Sequence, residues 1–103
     1  MNSFVLILYS RKGCCLCEGL ETILSSLPLQ DLNPPLFLRV IDIDAMETPK
    51  EVHTRYDLHV PVMLLGKNDS QEMIELPRVS PRLGKRELLK WLQKMLIKIA
   101  GYT

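Results

Sequence analysis

The stretch Phe4 to Tyr9 (FVLILY) is a continuous apolar, β-prone run, and within a few residues the pattern changes its period completely. After the break at Ser10 to Gly13, apolar residues recur at Leu16, Leu20, Ile23, Leu24 and Leu27, in steps of three and four, and stop before Pro28. The first run is what a strand covered on both faces looks like, and the second is one face of a helix. Leu36 to Ile43 (LFLRVIDI) restores the strand pattern after the proline-rich stretch Pro28 to Pro35. A β-α-β opening of this kind calls for a parallel, right-handed crossover, so the chain is committed early to an α/β architecture.

The remainder extends that reading. Thr48-Pro49 predicts a short helix to about Asp57, with Thr48 capping and Pro49 in the first position. Val60 to Leu65 predicts a third strand led in by Pro61. Gly66 to Ser70 predicts a turn, and Glu72 to Leu76 a hairpin partner. Leu88, Leu92, Met95, Leu96 and Ile99 line one face of a terminal helix. The expected order is β-α-β-α-β-β-α, a four-stranded mixed sheet flanked by helices. At 103 residues, residues 1–103 are expected to form a single domain.

Bulk properties exclude several classes of function. The net charge of +1 gives no field for nucleic acid or an anionic membrane, and basic residues cluster only as pairs such as Arg11-Lys12 and Lys85-Arg86. The aromatics are not interleaved with them, so no single-strand stacking platform is visible. The N-terminal apolar run is too short for a signal-peptide core or a bilayer span, which leads us to expect a cytoplasmic protein. No partner copy is called for, and a monomer is expected.

All three cysteines lie within GCCLC, Gly13 to Cys17. Three clustered thiols in a reducing compartment suit catalysis or metal binding better than a disulfide scaffold. Cys14 falls between a strand and a helix, where free N–H groups and the positive end of the helix dipole favour thiolate over thiol. Cys17, one turn along on the same side, is placed to resolve a mixed disulfide formed at Cys14. Arg11 and Lys12 could add positive charge. Cys15 points elsewhere on the helix and is read as an accessory thiol at the site rim. A zinc ion or cluster wants about four ligands, more than one CxxC supplies, so no resident metal is expected.

Other polar residues have plainer uses. His59 stands near Pro61, and His53 suits the surface. Asp42 and Asp44 suit a turn at the exit of the second strand. Trp91 and the methionines suit packing, and KWLQKMLIKI the solvated face of a core helix.

The order of elements, the strand–CxxC–helix opening (LYSRKGCCLC), VIDID and HVPVMLL together resemble the thioredoxin superfamily. The absence of an additional N-terminal strand and helix makes the chain similar to the glutaredoxin branch, specifically its small bacterial and plastid members. The resemblance covers roughly Phe4 to Leu96. It implies a thioredoxin-like fold, a cis peptide before Pro61 facing the CxxC, and thiol–disulfide oxidoreductase activity with Cys14 as nucleophile and Cys17 resolving. It also implies that Val60 offers its backbone to an extended substrate. Where glutaredoxins commonly carry Pro-Tyr between the cysteines, this chain has Cys15-Leu16. Where they carry Gly-Gly and Asp to hold glutathione, it has Val79-Ser80-Pro81-Arg82-Leu83-Gly84. Lys12 and Arg82 are the cations left to meet substrate carboxylates. No cofactor is expected to be required; disulfide-containing proteins are the expected partners, with glutathione as candidate co-substrate. The alternative is a non-catalytic binding module of the same fold, or a metal or iron–sulfur carrier using its thiols.

Overall fold

The computed structural model describes residues 3–69, 72–80 and 82–101. The elements follow the expected order: β1 (Phe4–Ser10), α1 (Cys15–Ser26), a 3-10 turn (Leu29–Asp31), β2 (Leu36–Asp42), α2 (Lys50–Tyr56), β3 (Val62–Lys67), β4 (Ile74–Glu75) and α3 (Lys85–Ala100). The sheet is mixed, in the order β2-β1-β3-β4. β1 runs parallel to β2 and antiparallel to β3, and β4 returns antiparallel along β3. This is the thioredoxin-like α/β fold.

Alternation along the strands divides the interior in two. Phe4, Leu6 and Leu8 of β1 and Met63 and Leu65 of β3 face one side. There they pack with Leu24 of α1 and Leu88, Leu92 and Leu96 of α3. Ile7, Tyr9, Val62 and Leu64 face the other side, against Val52 and Tyr56 of α2. Both sheet faces therefore carry helices, and β3 is buried along Val62 to Gly66 for that reason. Fully burying a leucine is worth about 1.5–3 kcal/mol, so the run of leucines across α1, α3 and the sheet dominates the folding free energy.

Several local boundaries differ from expectation. α2 starts at Lys50 with Pro49 as its cap residue, because the Thr48 hydroxyl donates to the Asp42 carbonyl (2.7 Å) and does not cap the helix. α2 ends at Tyr56, one residue short of Asp57. β3 begins at Val62, opposite Tyr9, because Pro61 has no N–H for the ladder. It also runs through Gly66 and Lys67, which pair with Val5 and Phe4, so the turn starts at Asn68. β4 is reduced to Ile74–Glu75, although Leu76 still donates its N–H to the Met63 carbonyl (2.8 Å). Ser70 and Pro81 lie outside the described residues.

The peptides Asn33–Pro34 and Val60–Pro61 are cis. The first is held by α3: the Gln93 amide accepts from the Asn33 N–H (3.2 Å) and donates to the Asn33 carbonyl (2.8 Å).

Candidate functional site

β1 delivers the chain to a tight turn, and Gly13 makes that turn in the left-handed region with φ of 83°. Cys14 then has extended backbone and caps α1: its Sγ accepts from the Cys17 N–H at 3.1 Å. A cysteine thus does here what serine or aspartate usually does at this position. The Cys14 amide donates to the Arg11 carbonyl (3.3 Å), and the Gly13 amide to the Glu18 carboxylate (3.2 Å).

Cys14 and Cys17 are joined in a disulfide, with their Cα atoms 5.2 Å apart. The two sulfurs are unequal in access. Cys14 is half-buried, whereas Cys17 is 0% exposed. Cys15 is a free, exposed thiol.

Arg11 is engaged by two carboxylates. Its Nε and Nη2 bond both oxygens of Asp44 (2.7 and 3.0 Å), its Nη1 bonds the Asp57 carbonyl (2.8 Å), and Nη2 also meets the Asp57 carboxylate. These bonds raise the guanidinium above its ordinary range and hold the Asp44 carboxyl below its own. His53 adds a contact from Nε2 to Asp44 at 3.1 Å. Arg11 therefore fastens three segments together: the turn that ends in Cys14, the exit of β2, and the end of α2 just before Pro61. Asp44 does keep the turn expected of it, its N–H bonding the Asp42 carboxylate at 2.9 Å.

Beside the helix start lies a groove of about 560 Å³. Cys15, Leu16 and Leu20 of the α1 side, Pro61 and Met63 of the β3 side, and the stretch from Glu75 through Ser80 border it. His59 and Tyr56 stand at its α2 end. Tyr56 stacks on Tyr9 with ring centroids 5.0 Å apart and donates its hydroxyl to Glu75 (2.9 Å). Burial first, and then the bond to Glu75, push its phenol above the ordinary value.

The structure thus brings Cys15 and Leu16, the two residues between the disulfide cysteines, onto one groove with Pro61 and with Val79, Ser80 and Leu83 of the region singled out in the sequence. The other expected substrate contacts, Val60, Lys12 and Arg82, are not among the residues lining this groove. Val60 packs into the α2-side core. Lys12 borders a separate depression of about 190 Å³ with Glu18 and Glu21. Arg82 is exposed, its N–H bonded to Ser80 Oγ (3.2 Å), and is not among the groove's lining residues. Arg55 and Arg78, which do line the groove, were not anticipated, since no spacing or motif marks them. Among the described residues no group of three or more His, Cys, Asp or Glu is arranged to hold a metal ion, and no helix is long and apolar enough to cross a membrane.

Comparison with known proteins agrees with this geometry. Residues 5–93 match the family described as Glutaredoxin-like domain (DUF836). No curated protein matches the sequence. Among solved structures, a thioredoxin from Thermus thermophilus is similar at 20% identity and a TM-score of 0.63, covering 93% of this chain and 75% of its own. The germline-specific thioredoxin Deadhead from Drosophila melanogaster is similar at 16% identity and a TM-score of 0.59, covering 91% and 82%. A malarial protein is similar at 20% identity and a TM-score of 0.59, covering 92% and 99%. Identities this low establish a common fold.

Proposed function

The chain belongs to the glutaredoxin-like domain family, and from this we propose that it is a thiol–disulfide oxidoreductase acting on disulfide-containing proteins or glutathione mixed disulfides. The observation that carries the reading is the asymmetry of the pair. Cys14 caps α1 with the Cys17 N–H on its sulfur, and Cys17 is closed to solvent. In the dithiol form the same N–H and the helix dipole stabilise a Cys14 thiolate; a free cysteine has a pKa of about 8.5, and helix N-termini bring it to roughly 3.5–7.5.

The exchange runs in two steps. The Cys14 thiolate attacks one sulfur of the substrate disulfide; the Cys14–substrate bond forms, the substrate S–S bond breaks, and the departing thiolate takes a proton. Cys17 loses its proton and attacks Cys14 Sγ, forming the Cys14–Cys17 disulfide and releasing the second substrate sulfur as a thiol. Two electrons pass from the protein to the substrate, with one proton from Cys17 and one from solvent. An external dithiol, or two molecules of a monothiol such as glutathione, resets the pair. Pro61 shapes the groove wall beside the CxxC, and the Val60 backbone is the edge along which an extended substrate would lie. A reducing compartment, the cytoplasm, is where such a reductant operates.

The test is a redox titration in dithiol and in glutathione buffers, with thiol trapping and mass spectrometry. We expect a two-electron couple mapped to Cys14 and Cys17 that survives Cys15→Ser. Cys17→Ser should accumulate the mixed disulfide at Cys14, and Cys14→Ser should abolish dithiol-dependent reductase activity. If no intramolecular disulfide forms at any accessible potential, or if Cys14→Ser remains active, the oxidoreductase reading is lost.

A further inference from the structure

The groove beside the CxxC has walls of two kinds. One is apolar: Leu16, Leu20, Ile23, Met63, Val79 and Leu83 line it, and Leu16, in the helix turn between the cysteines, is 57% exposed at its lip. The other is cationic. Arg55 and Arg78 line the same groove, with His59 beside them. Among the described residues neither arginine has an ion-pair partner. Arg55 lies over the Tyr56 ring, 5.5 Å from its centroid, which holds the guanidinium in place without neutralising it. Glu75, the one acidic side chain among the described residues that line the groove, accepts the Tyr56 hydroxyl.

From this combination we propose that the groove takes a polypeptide segment carrying a large apolar side chain and an acidic residue on either side of the substrate cysteine. The apolar side chain enters between α1 and the stretch that leads to α3, where it removes Leu16, Leu20 and Leu83 from water. The carboxylate meets Arg55 or Arg78, whose guanidinium groups bind carboxylates in bidentate fashion. Glutathione answers only half of the site. It carries two carboxylates but no large apolar side chain, so the apolar wall would stay wet. A basic segment would place like charges against both arginines. The proposal deepens the oxidoreductase reading and rests on it for the role of the cysteine, but occupancy of the groove is separable from exchange.

The experiment is therefore binding first and exchange second. Thiol-free peptides, in which serine stands for the substrate cysteine, are titrated into the oxidised full chain labelled for amide NMR. The flanking residues are Leu and Asp, Leu and Lys, or Ser and Asp. We expect the Leu–Asp peptide to bind roughly tenfold or more tightly than either of the others. Its amide shifts should centre on Leu16, Leu20 and Val79. The double variant Arg55→Glu, Arg78→Glu should reverse the order of the Asp and Lys peptides. Equal affinities for the three, shifts centred away from the groove, or an unchanged order in the double variant would overturn the proposal. The same sequences are then made with a reporter disulfide in place of serine and offered to the reduced protein. If none is reduced, the oxidoreductase reading fails, and the binding data still decide what the groove accepts.

Discussion

The behaviour of individual residues here follows from how close the backbone comes to them. Gly66 is buried in β3 at the position where the returning strand lies against it. A Cβ there would sit 2.6 Å from the Glu72 carbonyl oxygen and 2.6 Å from Met73 Sδ. The sulfur can swing aside, but the carbonyl belongs to the chain leading into β4 and cannot yield alone. Gly66→Ala is therefore expected to destabilise the protein by about 1–3 kcal/mol, read as a lowered urea midpoint with an unchanged slope. Gly13 answers to a different rule, since its φ of 83° is what aims Cys14 into the cap. Both glycines stand in the sequence as turn or break signals, and only Gly13 turns out to be one. Gly66 looks like the start of a turn because nothing in a single sequence reveals which strand interior another backbone will approach.

At the scale of elements, long apolar periodicity carried most of the information. The face of α3 through Leu88, Leu92 and Leu96 and the run of β1 are where their spacing places them, because burying those side chains leaves few other solutions. The placement of Cys14 at the start of α1 was equally legible, from a strand, a glycine and a helix period in succession. The join between segments was not. Arg11 reaches partners 33 and 46 residues away, and no local pattern distinguishes it from an exposed cation such as Lys12. Its bonds give a pH signature. The Arg11 hydrogen bond holds the Asp44 carboxyl below its ordinary 3.8, so the folded state binds that proton less readily than the unfolded chain. The stabilisation is complete above the ordinary value and is lost as pH falls through the lower folded one. Asp44→Asn should therefore be less stable than the parent at neutral pH. The gap should close in acid below the usual aspartate range, as followed by denaturant midpoints across pH. A gap that persists unchanged in acid would show that Asp44 acts through packing and not through its charge.

For the molecule as a whole, the sheet order β2-β1-β3-β4 puts the strand that leads to the cysteines between two neighbours, and leaves Ile74–Glu75 as a two-residue edge. Residues of β1 pair on both sides, Leu6 with Leu38 and Leu65, for example. Edges held by few bonds open locally, whereas doubly paired central strands open only with the whole fold. Amide hydrogen exchange should then give the slowest protons in the chain to Leu6 and Leu8. Ile74 and Glu75 should exchange through low-energy openings that do not track global stability; equal protection in β1 and β4 would contradict this. The disulfide pair hangs from a strand paired on both sides, while Glu75 and the stretch after it, one bank of the groove, hang from the two-residue edge. On the proposed reading the protein would work like a vice with one fixed jaw: the jaw that bears the sulfurs would stay put, and the opposite one would open to admit or release a bulky chain without disturbing the chemistry it faces.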